Sequence, residues 1–88
     1  MNHSEDLEIQ VEETAGGIVV RPIGDIDLGR APSLRTRMAS IQSNGPPLVV
    51  VDLASVPYMD SSGVATLVEA MQVARRSGGK LILCALQD

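Results

Sequence analysis

Residues 48–54, LVVVDLA, form an apolar run with Asp52 near its end. A run that does not alternate suits a strand covered on both faces, as in a parallel sheet. Parallel neighbours must be reached by crossovers, and a helix is the usual one. The flanking sequence supplies two. Upstream, Pro32 suits a first helical turn, and Leu34, Met38 and Ile41 recur at helical spacing before SNGPP (43–47) stops the helix. Downstream, Val64, Leu67, Val68 and Met71 predict an amphipathic helix, with Arg75 and Arg76 in its last turn and SGG (77–79) ending it. LILCAL (81–86) then reads as a final strand. At the other end, LEIQVEE (7–13) alternates apolar and polar residues, AGG makes a turn, and IVVRPIG (18–24) returns antiparallel. Pro22 lacks a backbone donor and predicts an edge position or an early exit from the sheet. The order β-β-α-β-α-β predicts an α/β fold. Its four-stranded sheet is mostly parallel, with an antiparallel N-terminal edge strand and helices packed on it.

The totals set limits on function. Eighty-eight residues make one small domain, and 44% hydrophobic content supports a core, built without Trp or Phe and with Tyr58 as the single aromatic. We expect a disordered N-terminus over 1–6 and a folded domain over 7–88. The net charge is -4. Arg30, Arg35 and Arg37 form one loose basic group, and Arg75, Arg76 and Lys80 another, with no interleaved aromatics. Direct nucleic-acid binding is therefore not expected. No apolar run nears the ~20 residues needed to span a bilayer, and the acidic start does not read as a signal peptide. The expected location is cytoplasmic. Cys84, the single cysteine, falls within an apolar strand and is expected to be a buried core thiol.

The chemistry concentrates in YMDSSG. Open α/β sheets carry functional groups at the carboxyl ends of their strands. Asp25 and Asp27 follow the second strand, and Asp60, Ser61 and Ser62 follow the third, so the two loops are expected to share one surface. Two readings of the serines compete. One of them can cap the helix, worth about 1 kcal/mol. Capping does not account for two serines, Asp60 and Gly63 together, and a glycine in the first turn would make room for something bulky. A serine hydrolase needs a base, and the one histidine, His3, lies in the polar tail. Asp25, Asp27, Asp52 and Asp60 could hold a cation, but loop acids are usually solvated, so no metal and no cofactor are expected. SGGK (77–80) lacks phosphate-loop spacing and reads as a helix stop.

The stretch from Val51 to Leu86, with DSSG after an apolar strand, resembles the core of a STAS domain of the bacterial anti-sigma factor antagonist family. The upstream GDID loop and the helix after it are similar to that family's as well. The resemblance covers residues 7 to 86 and implies a STAS-like fold. It also implies a partner-switching role in transcription control. Ser61 would be phosphorylated by an anti-sigma factor that is also a serine kinase. The unmodified protein would bind that partner, and a PP2C-type serine phosphatase would restore it. Asp27 matches the acidic residue beside the phosphosite, Asp60 the motif aspartate, and Ser62 and Gly63 complete the motif. On this reading the chain is not itself an enzyme. The alternative role within the fold is a regulatory or scaffold subunit of an ABC transporter or a stress-signalling complex. Arg30 departs from the small hydroxyl residue that often caps the first helix. The family also continues beyond residue 88 with further helices, so an uncovered C-terminal face is expected to invite homodimerisation.

Overall fold

The computed structural model describes residues 6–85. The expected disorder of residues 1–5, and the last residue of the expected final strand, lie outside them. Strands β1 (Glu8–Thr14), β2 (Gly17–Ile23), β3 (Leu48–Asp52) and β4 (Lys80–Cys84) form one sheet in the order β1-β2-β3-β4. β1 is antiparallel to β2, and the other pairs are parallel. Helices α1 (Ala31–Gln42) and α2 (Ser61–Arg76) make the crossovers. They lie side by side, joined by Arg35–Glu69 at 3.2 Å and by the Gln42 amide donating to the Ala70 carbonyl at 2.8 Å. The expected element order and strand directions hold.

Alternation places the core. Val49 and Val51 of β3 are buried with Val20, Leu34, Met38 and Leu67, whereas Leu48, Val50 and Asp52 keep partial exposure. β3 is thus fully covered on one face only, not on both as its composition predicts. Away from the core, Arg21 pairs with Glu12 at 2.9 Å and with Asp52 at 3.4 Å. The hydrogen bond to Glu12 and then the pairing with Asp52 hold its pKa above the ordinary guanidinium value, against some desolvation. Pro22 marks the early exit: the β2–β3 pairing runs only from Ile18 to Val20, and Pro22 faces Ile9 of β1. Gly17 does more than turn the chain. A Cβ there would run into the Leu48 carbonyl oxygen and come within 2.9 Å of Leu48 Cβ, so β2 starts closer to β3 than another residue would allow.

Two expectations about side chains fail. Of the four apolar residues predicted to line the buried face of α2, only Leu67 is buried, while Val64, Val68 and Met71 are 49%, 46% and 39% exposed. The buried face is instead Gly63, Thr66, Leu67, Ala70 and Ala74. Small residues let the helix sit close to the layer beneath it, and the Thr66 hydroxyl is satisfied by the Ser62 carbonyl at 2.9 Å. Cys84 is half-buried at the end of β4 and is not a fully enclosed core thiol.

Candidate functional site

The loops after β2 and β3 run together as an extension of the sheet. Gly24 N–H donates to Ser55 O at 2.9 Å, Ile26 N–H to Tyr58 O at 2.9 Å, and Asp60 N–H to Ile26 O at 3.1 Å. Ile26 and Met59 form a parallel bridge. Ile26 is completely buried, and its neighbours Asp25 and Asp27 are half-buried. One apolar side chain therefore anchors the segment that carries both acids. The expected meeting of the two loops is what the structure shows.

Asp27 starts α1. Its carbonyl accepts from Arg30 N–H at 3.1 Å and Ala31 N–H at 2.8 Å, and its carboxylate accepts from Arg30 N–H at 3.1 Å. The Arg30 side chain makes no cap bond. The helix start that Arg30 would otherwise leave open is thus closed by Asp27. The Arg30 guanidinium reaches the Asp25 carbonyl at 3.5 Å, which brings a cation to the acidic loop. Sequence reasoning gave Arg30 no such place.

Asp60 is the cap of α2. It adopts φ -93, ψ -173, and its carboxylate accepts from Ser62 N–H at 2.9 Å and Gly63 N–H at 3.4 Å. The capping role weighed for the serines belongs to the residue before them. Ser61 is the first helical residue and is exposed, and Ser62 is half-buried. Replacing Asp60 with Ala is expected to cost about 1 kcal/mol, read as a lower urea midpoint with an unchanged slope.

Gly63 does not leave space for an outside group. A Cβ there would run into Met59 Cγ and come within 2.8 Å of Ile26 Cγ2 and 2.9 Å of Met59 Sδ. The missing side chain lets the first turn of α2 press directly on the residue that anchors the acidic loop. Gly63 therefore positions Ser61 relative to Asp25 and Asp27. The fourth acid considered, Asp52, stands apart, with its carboxylate held by Arg21 and by Ala54 N–H at 3.0 Å. Among the described residues, no three His, Cys, Asp or Glu side chains are grouped to hold a metal ion. No helix of the described residues is long and apolar enough to cross a membrane.

The chemistry open to this arrangement is modification of an exposed hydroxyl. Negative charge is tolerated at a helix N-terminus, where the dipole favours it by about 0.3–1 kcal/mol. The two joined loops also carry exposed apolar side chains that sequence reasoning missed. Leu28, in the Asp27 loop, is 75% exposed, and Tyr58, just before Met59, is 56% exposed. The signal was present in their placement within polar loops.

The fold and site define a small α/β domain that displays one serine at a helix start beside an acidic loop. The family model for the STAS domain matches residues 8–88, and the chain belongs to that family. It is 31% identical over 83 residues to an anti-sigma-B factor antagonist of Bacillus subtilis, covering 94% of this chain and 75% of the relative. It is 28% identical to an anti-sigma F factor antagonist of Paenibacillus polymyxa, over 90% of this chain and 68% of that one. Its fold matches the crystal structure of an anti-sigma factor antagonist from Mycobacterium paratuberculosis with a TM-score of 0.81 at 25% identity, over 94% of this chain and 70% of the other.

Proposed function

We propose that this chain is an anti-sigma factor antagonist that works by partner switching in the cytoplasm. While Ser61 is unmodified, it binds an anti-sigma factor that is also a serine kinase, and so frees the sigma factor. The kinase transfers the γ-phosphoryl group of ATP to the Ser61 oxygen. A P–O bond forms to Ser61, the bond to ADP breaks, and the hydroxyl proton leaves with a base of the kinase. A PP2C-type phosphatase restores the serine by hydrolysis. The chain is the substrate of both reactions and the catalyst of neither.

What supports this reading is the exposed Ser61 at the first position of α2, directly after the Asp60 cap, whose N–H bonds to the Ile26 carbonyl in the loop that carries Asp25 and Asp27. A phosphate adds about -1.5 to -2 charges. Placed here, it does not need to unfold the domain, because it sits at a favourable helix end. It acts on the partner, whose surface meets added bulk and charge at an already acidic loop.

The test is intact mass with fragmentation after incubation with ATP in lysate of the organism that encodes the chain, beside a Ser61→Ala protein. One phosphate on the wild type, located at Ser61 and absent from the variant, is expected. The phosphorylated form should then lose the partner that the unmodified form retains. Equal retention by both forms would sink the proposal.

A further inference from the structure

The inner side of α2 carries a buried hydroxyl. Among the described residues, Thr66 is the polar side chain that is buried, at 1% exposure, on the face it shares with Gly63, Leu67 and Ala70. Its hydroxyl donates to the Ser62 carbonyl, one turn back, at 2.9 Å. That carbonyl does not depend on the hydroxyl, because the Thr66 N–H is its partner in the ordinary helical pattern. Threonine is also a poorer choice for a helix interior than alanine or leucine. Valine would fill the same volume without taking a hydroxyl out of water. Propensity and burial therefore both leave the hydroxyl unexplained, and a local exception of this kind is expected where a functional group has to be held.

The exception lies next to Ser61. Hydrogen bonds fix the backbone on both sides of that serine. Before it, Asp60 N–H donates to Ile26 O at 3.1 Å. After it, Ser62 N–H donates to the Asp60 carboxylate at 2.9 Å, and the Ser62 carbonyl accepts from the Thr66 hydroxyl. The first two bonds tie the turn to the loops. The third holds it from the buried side of the helix. A threonine that bonds back to the residue four before it tilts that carbonyl and bends the turn. We propose that Thr66 is a positioning residue for Ser61. Its hydroxyl sets the tilt of the first turn of α2, and so the direction in which the Ser61 oxygen, free or phosphorylated, leaves the helix end. Thr66 is buried and acts through Ser62. A small tilt is enough, because misplacing a reacting group by about 1 Å costs up to about a hundredfold in rate. The part played in the kinase reaction rests on the proposed modification of Ser61. The effect on the turn does not.

Two substitutions separate this role from packing. Thr66→Val keeps the volume and removes the hydroxyl, whereas Thr66→Ser keeps the hydroxyl and removes a methyl group. If Thr66 only fills space, serine is the worse variant in every measurement. The proposal expects the reverse order at Ser61, whichever variant unfolds at the lower urea concentration. The first readout needs no kinase. Phosphoserine is placed at position 61 by synthesis of the whole chain, and its second pKa is followed by phosphorus NMR. Thr66→Val is expected to move that pKa by about 0.3 unit from its value in the wild-type chain, the size of an altered helix-end interaction, while Thr66→Ser leaves it in place. The second readout is the initial rate of phosphate addition to Ser61 with ATP in lysate of the organism that encodes the chain. It is expected to fall about tenfold in Thr66→Val and to stay within about twofold in Thr66→Ser. A valine chain whose phosphate titrates as in wild type would overturn the proposal, and so would a serine chain that shifts as far as the valine one. A shifted titration with an unchanged rate would overturn the part in the kinase reaction. Absence of phosphate on wild-type Ser61 would count against the proposed function, and the titration would still decide the role of Thr66.

Discussion

Replacing Gly63 with valine is expected to cost about 3 kcal/mol of stability, at the upper end for overpacking a filled site. The added atoms meet Ile26 Cγ2 and the Met59 side chain, where a single Cβ would already lie 2.8 Å from the first. Ile26 is β-branched and completely buried, so it has little freedom to move away. Alanine at the same position is a sharper test, because two effects oppose each other. Glycine inside a helix costs about 1 kcal/mol relative to alanine, so propensity alone predicts that Gly63→Ala stabilises. The close approach predicts the reverse, a net loss of about 1 kcal/mol once Met59 shifts. Part of that loss should be recovered in Gly63→Ala with Met59→Ala, measured as non-additivity in a double-mutant cycle. A Gly63→Ala protein more stable than wild type would show that α2 does not need this contact. In a domain of this size, each 1 kcal/mol corresponds to roughly 4–8 °C in Tm.

The same position shows where the sequence could be read and where it could not. Strand order, the two crossovers, the Pro22 exit and the shared loop surface follow from periodicity, turn residues and chain direction, which are local signals. The face that α2 buries does not follow. Periodicity weighs hydrophobicity, so it selects Val64, Val68 and Met71. The packing selects size, because a helix pressed on a buried isoleucine and flanked by α1 needs Gly63, Ala70 and Ala74 on its inner side. The cap was misplaced for a related reason. Asp60, Ser61 and Ser62 all have oxygens suited to an N-cap, and composition does not say which has extended backbone. Asp60 does, and this leaves Ser61 free to face outward. The role of Asp27 in starting α1 was hidden because its acceptors serve residues that look uncapped in sequence, Arg30 and Ala31.

The largest single loss is expected from Ile26→Ala, about 4 kcal/mol by removal of a fully enclosed branched side chain. Small domains are stable by about 5–15 kcal/mol, so this variant should stay folded with much of its stability gone, and Ile26→Val, at about 1 kcal/mol, is the gentler companion. Ile26 does two things at once. Its side chain fills the space beneath Gly63, and its backbone joins the two loops by accepting from Asp60 N–H and donating to Tyr58 O. A cavity at this point should therefore loosen the junction before it loosens the sheet. Hydrogen exchange distinguishes the cases. In Ile26→Val, the Ile26 and Asp60 amides are expected to lose more protection than those in the middle of β3, because local opening draws on the contacts nearest the cavity. Equal loss at both places would mean that the loops open only with the whole domain. The junction would then contribute stability without setting the position of Ser61. Selective loss at Ile26 and Asp60 would tie the placement of Ser61 to a side chain that never touches its hydroxyl, and partner binding should weaken in that variant although the DSSG motif is intact.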